Sequence, residues 1–179
     1  MKNTIFFILV IVFTGCKNNQ QSNTAEKPHF VKSEEVINDN LFKVILDVTI
    51  SENDRLQLFY VDDMPDGVFS AEKRLAYNVK GKDTPQEIKF TLPKKVFPYK
   101  LRLDFGENKI ETPVKINSIE LKYNSDSIVI DALVLEQFFK PNIYLEKVDS
   151  LYLRKTLNGR YDPFLVSTPL LEKKIELEF

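Results

Sequence analysis

Apolar and polar positions alternate along most of this chain. Phe42, Val44, Leu46, Val48 and Ile50 are interleaved with Lys43, Asp47 and Thr49, the period of two expected of a strand buried on one face. Residues 51–54 (Ser-Glu-Asn-Asp) read as a turn cluster, after which Leu56, Leu58 and Tyr60 resume the alternation. A longer polar loop at 62–67 precedes Leu75, Tyr77 and Val79. Residues 81–85 read as the next turn, and Ile88, Phe90 and Leu92 as a strand stopped by Pro93. Tyr99, Leu101, Leu103 and Phe105 alternate with Lys100, Arg102 and Asp104 in the clearest pattern of all, and residues 106–108 turn it. Val114 and Ile116 lead to Ile119, Leu121 and Tyr123, then a turn at 124–126, then Ile128 and Ile130. Short strands at intervals of about 8–12 residues with turn signals between them predict an all-β, antiparallel β-sandwich or a barrel.

The last third changes character. Residues 131–140 fit a short helix capped by Asp131 and stopped before Pro141, and fit a covering strand equally well. Leu151-Tyr152-Leu153 and Phe164-Leu165-Val166 read as extended segments flanking a loop at 158–163. Ile175, Leu177 and Phe179 read as a final alternation. That ending looks like the terminal signal of outer-membrane barrels, but strands of about six residues with frequent proline cannot supply lipid-facing alternations of ~10 residues.

The beginning of the chain is different again. Lys2 is followed by an unbroken apolar run at residues 5–13 and then Thr14-Gly15-Cys16, the order of a secretory signal. The run is too short to span a bilayer as a helix, which takes ~20 apolar residues. Residues 17–29 contain no aromatic or β-branched run and read as a flexible tether, with a reach of roughly 20 Å on the random-coil scale. The division expected is a signal peptide over 1–15, a modified Cys16 with its tether over 16–29, and one sandwich domain over 30–179.

Composition narrows the chemistry. Of 179 residues, 43% are hydrophobic, with 14 Phe and 7 Tyr, which suits a folded core rather than disorder. The formal charge is −1, and losing Lys2 with the leader leaves 24 basic against 26 acidic residues. No basic patch stands out, so nucleic acid is not an expected partner. Cys16 is the only cysteine and His29 the only histidine. An internal disulfide is therefore ruled out, and a Cys/His zinc site or Ser-His or Cys-His catalysis has too few members.

Thr14-Gly15-Cys16, at the end of its apolar run, resembles the lipobox of bacterial lipoproteins, with Phe13 where the family usually has Leu. The resemblance implies cleavage before Cys16, a thioether-linked diacylglycerol on its sulfur and an acylated amino group. Several acyl chains at ~0.8 kcal/mol per buried methylene make a stable membrane anchor. In the Bacteroidetes pattern, acidic residues just after the cysteine accompany display on the outer face; their absence here implies the periplasmic face of the outer membrane. Further on, Leu101-Arg102-Leu103-Asp104-Phe105-Gly106 and Ile116-Asn117-Ser118-Ile119-Glu120-Leu121 resemble paired strands of galactose-binding-like and carbohydrate-binding jelly-roll modules. That resemblance covers about residues 41–123 and implies a jelly-roll-like sandwich that binds glycans.

Sugar recognition combines aromatic faces with carboxylates and amides that take hydroxyls. Two loops carry such groups: Tyr60, Asp62, Asp63, Asp66 and Phe69 in one, and Arg160, Tyr161 and Asp162 in the other. Both loops also fit ordinary turn chemistry. Asp62, Asp63 and Asp66 could supply oxygens to a structural calcium, although without EF-hand spacing. No cofactor, resident metal or catalytic set is expected, and Arg102 with Asp104 reads as a surface pair. The expected function is a membrane-anchored envelope lipoprotein carrying a non-catalytic binding module for a glycan or an envelope protein. The alternatives are an accessory interaction subunit of an envelope complex and, third, a glycan hydrolase, which would need a concave pocket with a close carboxylate pair.

Overall fold

In the computed structural model, residues 40–64 and 66–179 are described; Cys16, the tether and the signal segment lie outside them. Two antiparallel sheets face each other across one apolar core, so the all-β sandwich expected from the alternation is the fold observed. The first sheet has at its centre β1 (Phe42–Ile50), whose even-numbered residues from Phe42 to Ile50 are all buried. β1 pairs on one side with β4 (Lys82–Thr91) and on the other with β6 (Val114–Tyr123). β6 also pairs with β7 (Asp126–Asp131) and, near its start, with β10 (Leu151–Arg154), which pairs with β9 (Leu145–Val148).

The second sheet runs β3-β2-β5-β13-β8, comprising β3 (Arg74–Val79), β2 (Asp54–Val61), β5 (Lys100–Phe105), β13 (Phe164–Ser167) and β8 (Phe139–Pro141). Leu56, Leu58, Leu101, Leu103, Phe105 and Leu165 line its inner face. A small hairpin of β11 (Thr156–Leu157) and β12 (Arg160–Tyr161) stands apart from both sheets.

Two irregularities explain where the sequence pattern slips. In β6 the apolar phase shifts between Ile116 and Ile119. Asp47 pairs with Ser118 while Val48 pairs with Ile116, so Asn117 is an extra residue in a β-bulge. Its carbonyl accepts a hydrogen bond from Ala132 N at 3.0 Å and its amide donates to Asp47 Oδ1 at 3.2 Å, so the bulge is fully used. The second irregularity corrects the turn expected at 81–85: β4 begins at Lys82 and includes Pro85. Pro85 has no N–H to give, and it is accommodated because β4 is an edge strand whose register against β1 shifts between Gln86 and Lys82. Asp54, read as the end of a turn, is instead the first residue of β2 and is 5% exposed.

The final alternation is also corrected. Residues 169–178 form the helix α2 (Pro169–Glu178), not a strand. Leu171, Ile175 and Phe179 recur at i, i+4 and i+8: the first two are buried, and Phe179 packs on Phe42 with ring centroids 5.5 Å apart. Leu177, which the alternation would bury, is 72% exposed. Thr168 caps the helix by accepting from Leu171 N, with Pro169 at the first helical position. The Thr168 hydroxyl also donates to the Gln137 carbonyl at 2.7 Å. Thr168→Ala leaves both groups without that partner and is expected to cost about 1–2 kcal/mol in equilibrium urea unfolding. Thr168→Ser, which keeps the hydroxyl, is expected to recover most of it.

The segment 131–140 divides between its two readings. Asp131 does not cap a helix as expected: it accepts from Leu133 N and Val134 N in the preceding turn, and the single helical turn that follows, α1 (Leu135–Phe138), has Val134 at its N-cap with no side-chain cap. The chain then becomes β8 and runs through Pro141, which is tolerated at the sheet edge. Among the described residues no helix is long and apolar enough to cross a membrane.

Candidate functional site

The outward side chains of the second sheet do not simply face solvent. Arg55, Gln57 and Phe59 on β2 point away from the core, as do Arg102 and Asp104 on β5 and Phe164 on β13. Gln57 lies opposite Asp104, and Phe59 lies between Arg74 and Arg102. The β11–β12 hairpin and the residues after it cover part of this face. Tyr161 pins the hairpin down: its one hydroxyl proton is shared between the carbonyls of Ile110 at 2.8 Å and Phe105 at 3.2 Å. Burial pushes this phenol up to about 12, so it remains a donor. Between hairpin and sheet lies a pocket of about 260 Å³ whose lining includes Gln57, Asp104, Tyr161, Asp162, Arg55 and Arg74.

Arg102 organises one wall. Its guanidinium grips Asp104 through two hydrogen bonds of 2.7 Å and Asp162 through one of 3.0 Å. The ring of Phe164 packs against the guanidinium at 3.8 Å, and that of Phe59 at 5.2 Å. This is the fork geometry for which arginine is suited and lysine is not. The Arg102–Asp104 pair expected at the surface is therefore made, but it is three-quarters buried and shared with a third residue.

Burial raises the Asp104 carboxyl to about 6, outweighing the attraction of Arg102. The folded state thus binds this proton more readily than the unfolded chain does. The contribution of Asp104 to stability is fully present below the unfolded carboxyl value of about 4 and declines as pH rises through about 6. A carbon-detected NMR titration should place the Asp104 midpoint near 6. Wild-type stability relative to Asp104→Asn should fall between about pH 4 and pH 7. A midpoint in the ordinary carboxylate range would contradict this.

Gln57 is the unusual member of the pocket. It is only 5% exposed, yet its side-chain amide makes no hydrogen bond with any described residue. Its nitrogen and oxygen are not among the buried side-chain atoms without a partner, so they keep access to solvent. Here the amide borders the pocket, where a ligand or water can reach it.

The two sequence-predicted loops fare differently. Tyr161 and Asp162 do meet in the pocket wall. Arg160 sits at its edge, paired with Asp162 at 2.8 Å and 5.7 Å from the Tyr144 ring. The other loop is not brought to this site: it leaves the Val61 end of β2, whereas the pocket lies towards the Arg55 end. Tyr60 is 6% exposed and belongs to the core, so it offers no aromatic face to a ligand. Asp62 and Asp63 both contact the Lys73 ammonium, at 2.7 and 3.1 Å, and hydrogen bonding to Lys73 holds Asp63 below the usual carboxylate range. Asp66 is exposed and Phe69 half-buried. Among the described residues no group of three or more His, Cys, Asp or Glu side chains could hold a metal.

Sequence reasoning missed Gln57, Arg55, Arg74 and the site role of Asp104. All four occupy outward strand positions, which read as solvated surface until the hairpin that covers them is placed. Comparison with protein-family models, curated proteins and solved structures returns no match.

Proposed function

We propose that this protein is a lipid-anchored lipoprotein of the bacterial cell envelope whose β-sandwich is a non-catalytic glycan-binding module. The observation that carries the binding reading is the pocket over the second sheet, where the unpaired Gln57 amide and the ring of Tyr161 border the same small space. At about 260 Å³ it falls below the roughly 300–1,000 Å³ of clefts for drug-sized ligands, which suits one sugar residue. An aromatic face on which a sugar's CH groups can pack and a free amide for its hydroxyls are the two elements sugar binding uses. The resemblance of residues 101–106 and 116–121 to carbohydrate-binding strands points the same way. Lipid attachment rests on the residues leading to Cys16 and on the tether that follows.

A binder is favoured over a hydrolase by Arg102. It bonds both oxygens of Asp104 and one of Asp162, whose other oxygen Arg160 holds, so neither carboxylate has a free oxygen aimed at a substrate as a nucleophile would need. The test is isothermal titration of the protein with a panel of monosaccharides and short oligosaccharides, comparing wild type with Gln57→Leu. Leucine fills similar space without the amide, so folding should be kept while binding weakens about tenfold. Unchanged binding in the variant would remove the pocket from the argument, and release of reducing sugar would overturn the non-catalytic reading. Radiolabelled palmitate should enter the wild type and not Cys16→Ser; label in both would refute the anchor.

A further inference from the structure

The pocket is lined by three cations and three carboxylates, but they are not evenly matched. Asp104 and Asp162 are held by Arg102, and Asp162 also by Arg160, while Glu107 pairs with Arg55 at 3.3 Å. Two lining cations remain, Arg74 and Lys109, and neither makes an ion pair with any described residue. Every carboxylate of the wall thus has a cationic partner inside the protein, while the two further cations that line the pocket are within ion-pair distance of no described carboxylate.

Arg74 lies on β3 directly across from Phe59, next to the Gln57 row of the outer face. Lys109 is in the segment that Tyr161 secures through the carbonyls of Phe105 and Ile110, so the hairpin that roofs the pocket also positions the second cation. An anion entering here would meet a guanidinium, an ammonium and the Gln57 amide without displacing an existing ion pair. A neutral sugar would use the amide and the Tyr161 ring only and leave both cations unused.

We infer that the pocket selects an acidic sugar, one bearing a carboxylate or a sulfate, with the anionic group seated between Arg74 and Lys109 and the ring against Tyr161 and Gln57. This rests on the glycan-binding reading above and names its ligand class. Charge-assisted hydrogen bonds are the stronger kind, and a surface-accessible pair of cations also makes binding sensitive to salt.

The experiment is calorimetric titration of the full-length protein with three probes: galacturonate, galactose 6-sulfate and galactose. Wild type should bind at least one acidic probe at least tenfold more tightly than galactose, and more weakly at high salt. Which acidic probe binds distinguishes carboxylate from sulfate. Arg74→Gln and Lys109→Gln change exposed side chains, so folding is retained. Each is expected to lose roughly tenfold in affinity for the acidic sugar and little for galactose, and Arg74→Lys should restore part of the loss. Equal binding of galactose and the acidic probes, unmoved by Arg74→Gln, would overturn the acidic preference while leaving glycan binding intact. Binding of none of the three, by a protein whose circular dichroism is native, would overturn both readings.

Discussion

Replacing Arg154 with methionine is expected to remove about 3–5 kcal/mol of stability, a large part of the ~5–15 kcal/mol typical of a folded domain. Arg154 and Asp54 face each other at 2.5 Å with both side chains wholly buried. The guanidinium makes three further hydrogen bonds: Nε donates to the Thr112 carbonyl at 2.8 Å, one terminal nitrogen to the Thr112 hydroxyl at 3.1 Å and the other to the Phe105 carbonyl at 3.3 Å. Asp54 accepts from Arg55 N and Glu107 N as well. Methionine keeps the volume but strands the Asp54 carboxylate and several carbonyls away from water. The pair itself need not be strongly stabilising, because each ion also loses its hydration. That gives the prediction its second half: Arg154→Met combined with Asp54→Leu should be much closer to wild type than Arg154→Met alone. Urea unfolding of the four proteins in a double-mutant cycle measures this. Additive losses would show that the two charges do not depend on each other.

Gly106→Ala is expected to be the next most damaging change. Gly106 has φ +96°, in the region that L side chains rarely adopt, and a Cβ there would overlap Asp54 Oδ2 and come within 2.8 Å of Arg154 Nη1. Strain of about 1–2 kcal/mol from the backbone would be joined by disruption of the buried ion pair, for a total of roughly 3 kcal/mol or more. Gly159 is the control. It has φ +77° but nothing within 4 Å of an added Cβ, so Gly159→Ala should cost only about 1–2 kcal/mol. Thermal unfolding of the two variants side by side separates steric conflict from backbone strain. Equal losses would mean that the space around Gly106 does not matter.

The central strands were legible because a single physical demand shapes them. β1 and β5 each bury one face, and their residues alternate without interruption. The slip at Asn117 was visible as a change of phase but not interpretable, since a bulge is defined by the partner strand. At the C-terminus, Ile175, Leu177 and Phe179 fit a period of two while Leu171, Ile175 and Phe179 fit a helix. The decisive local signal was Thr168-Pro169, a cap followed by a first-turn proline. The site was legible only at Tyr161 and Asp162. Gln57 and Asp104 have the sequence signature of any outward strand position, and what hides them is a hairpin some 50 to 100 residues further along. The same distance concealed Asp54 and Arg154, whose identities alone suggest solvated charges.

That separation also bears on when the chain can fold. Asp54 meets its counter-charge only after the next 100 residues have been made. A growing chain that has yet to expose residue 154 would have to bury a bare carboxylate to close the two sheets. Partial synthesis therefore gains little from premature collapse, and the pairing of β1 with β6, such as Phe42 with Tyr123, also joins segments far apart in the chain, which slows folding in general.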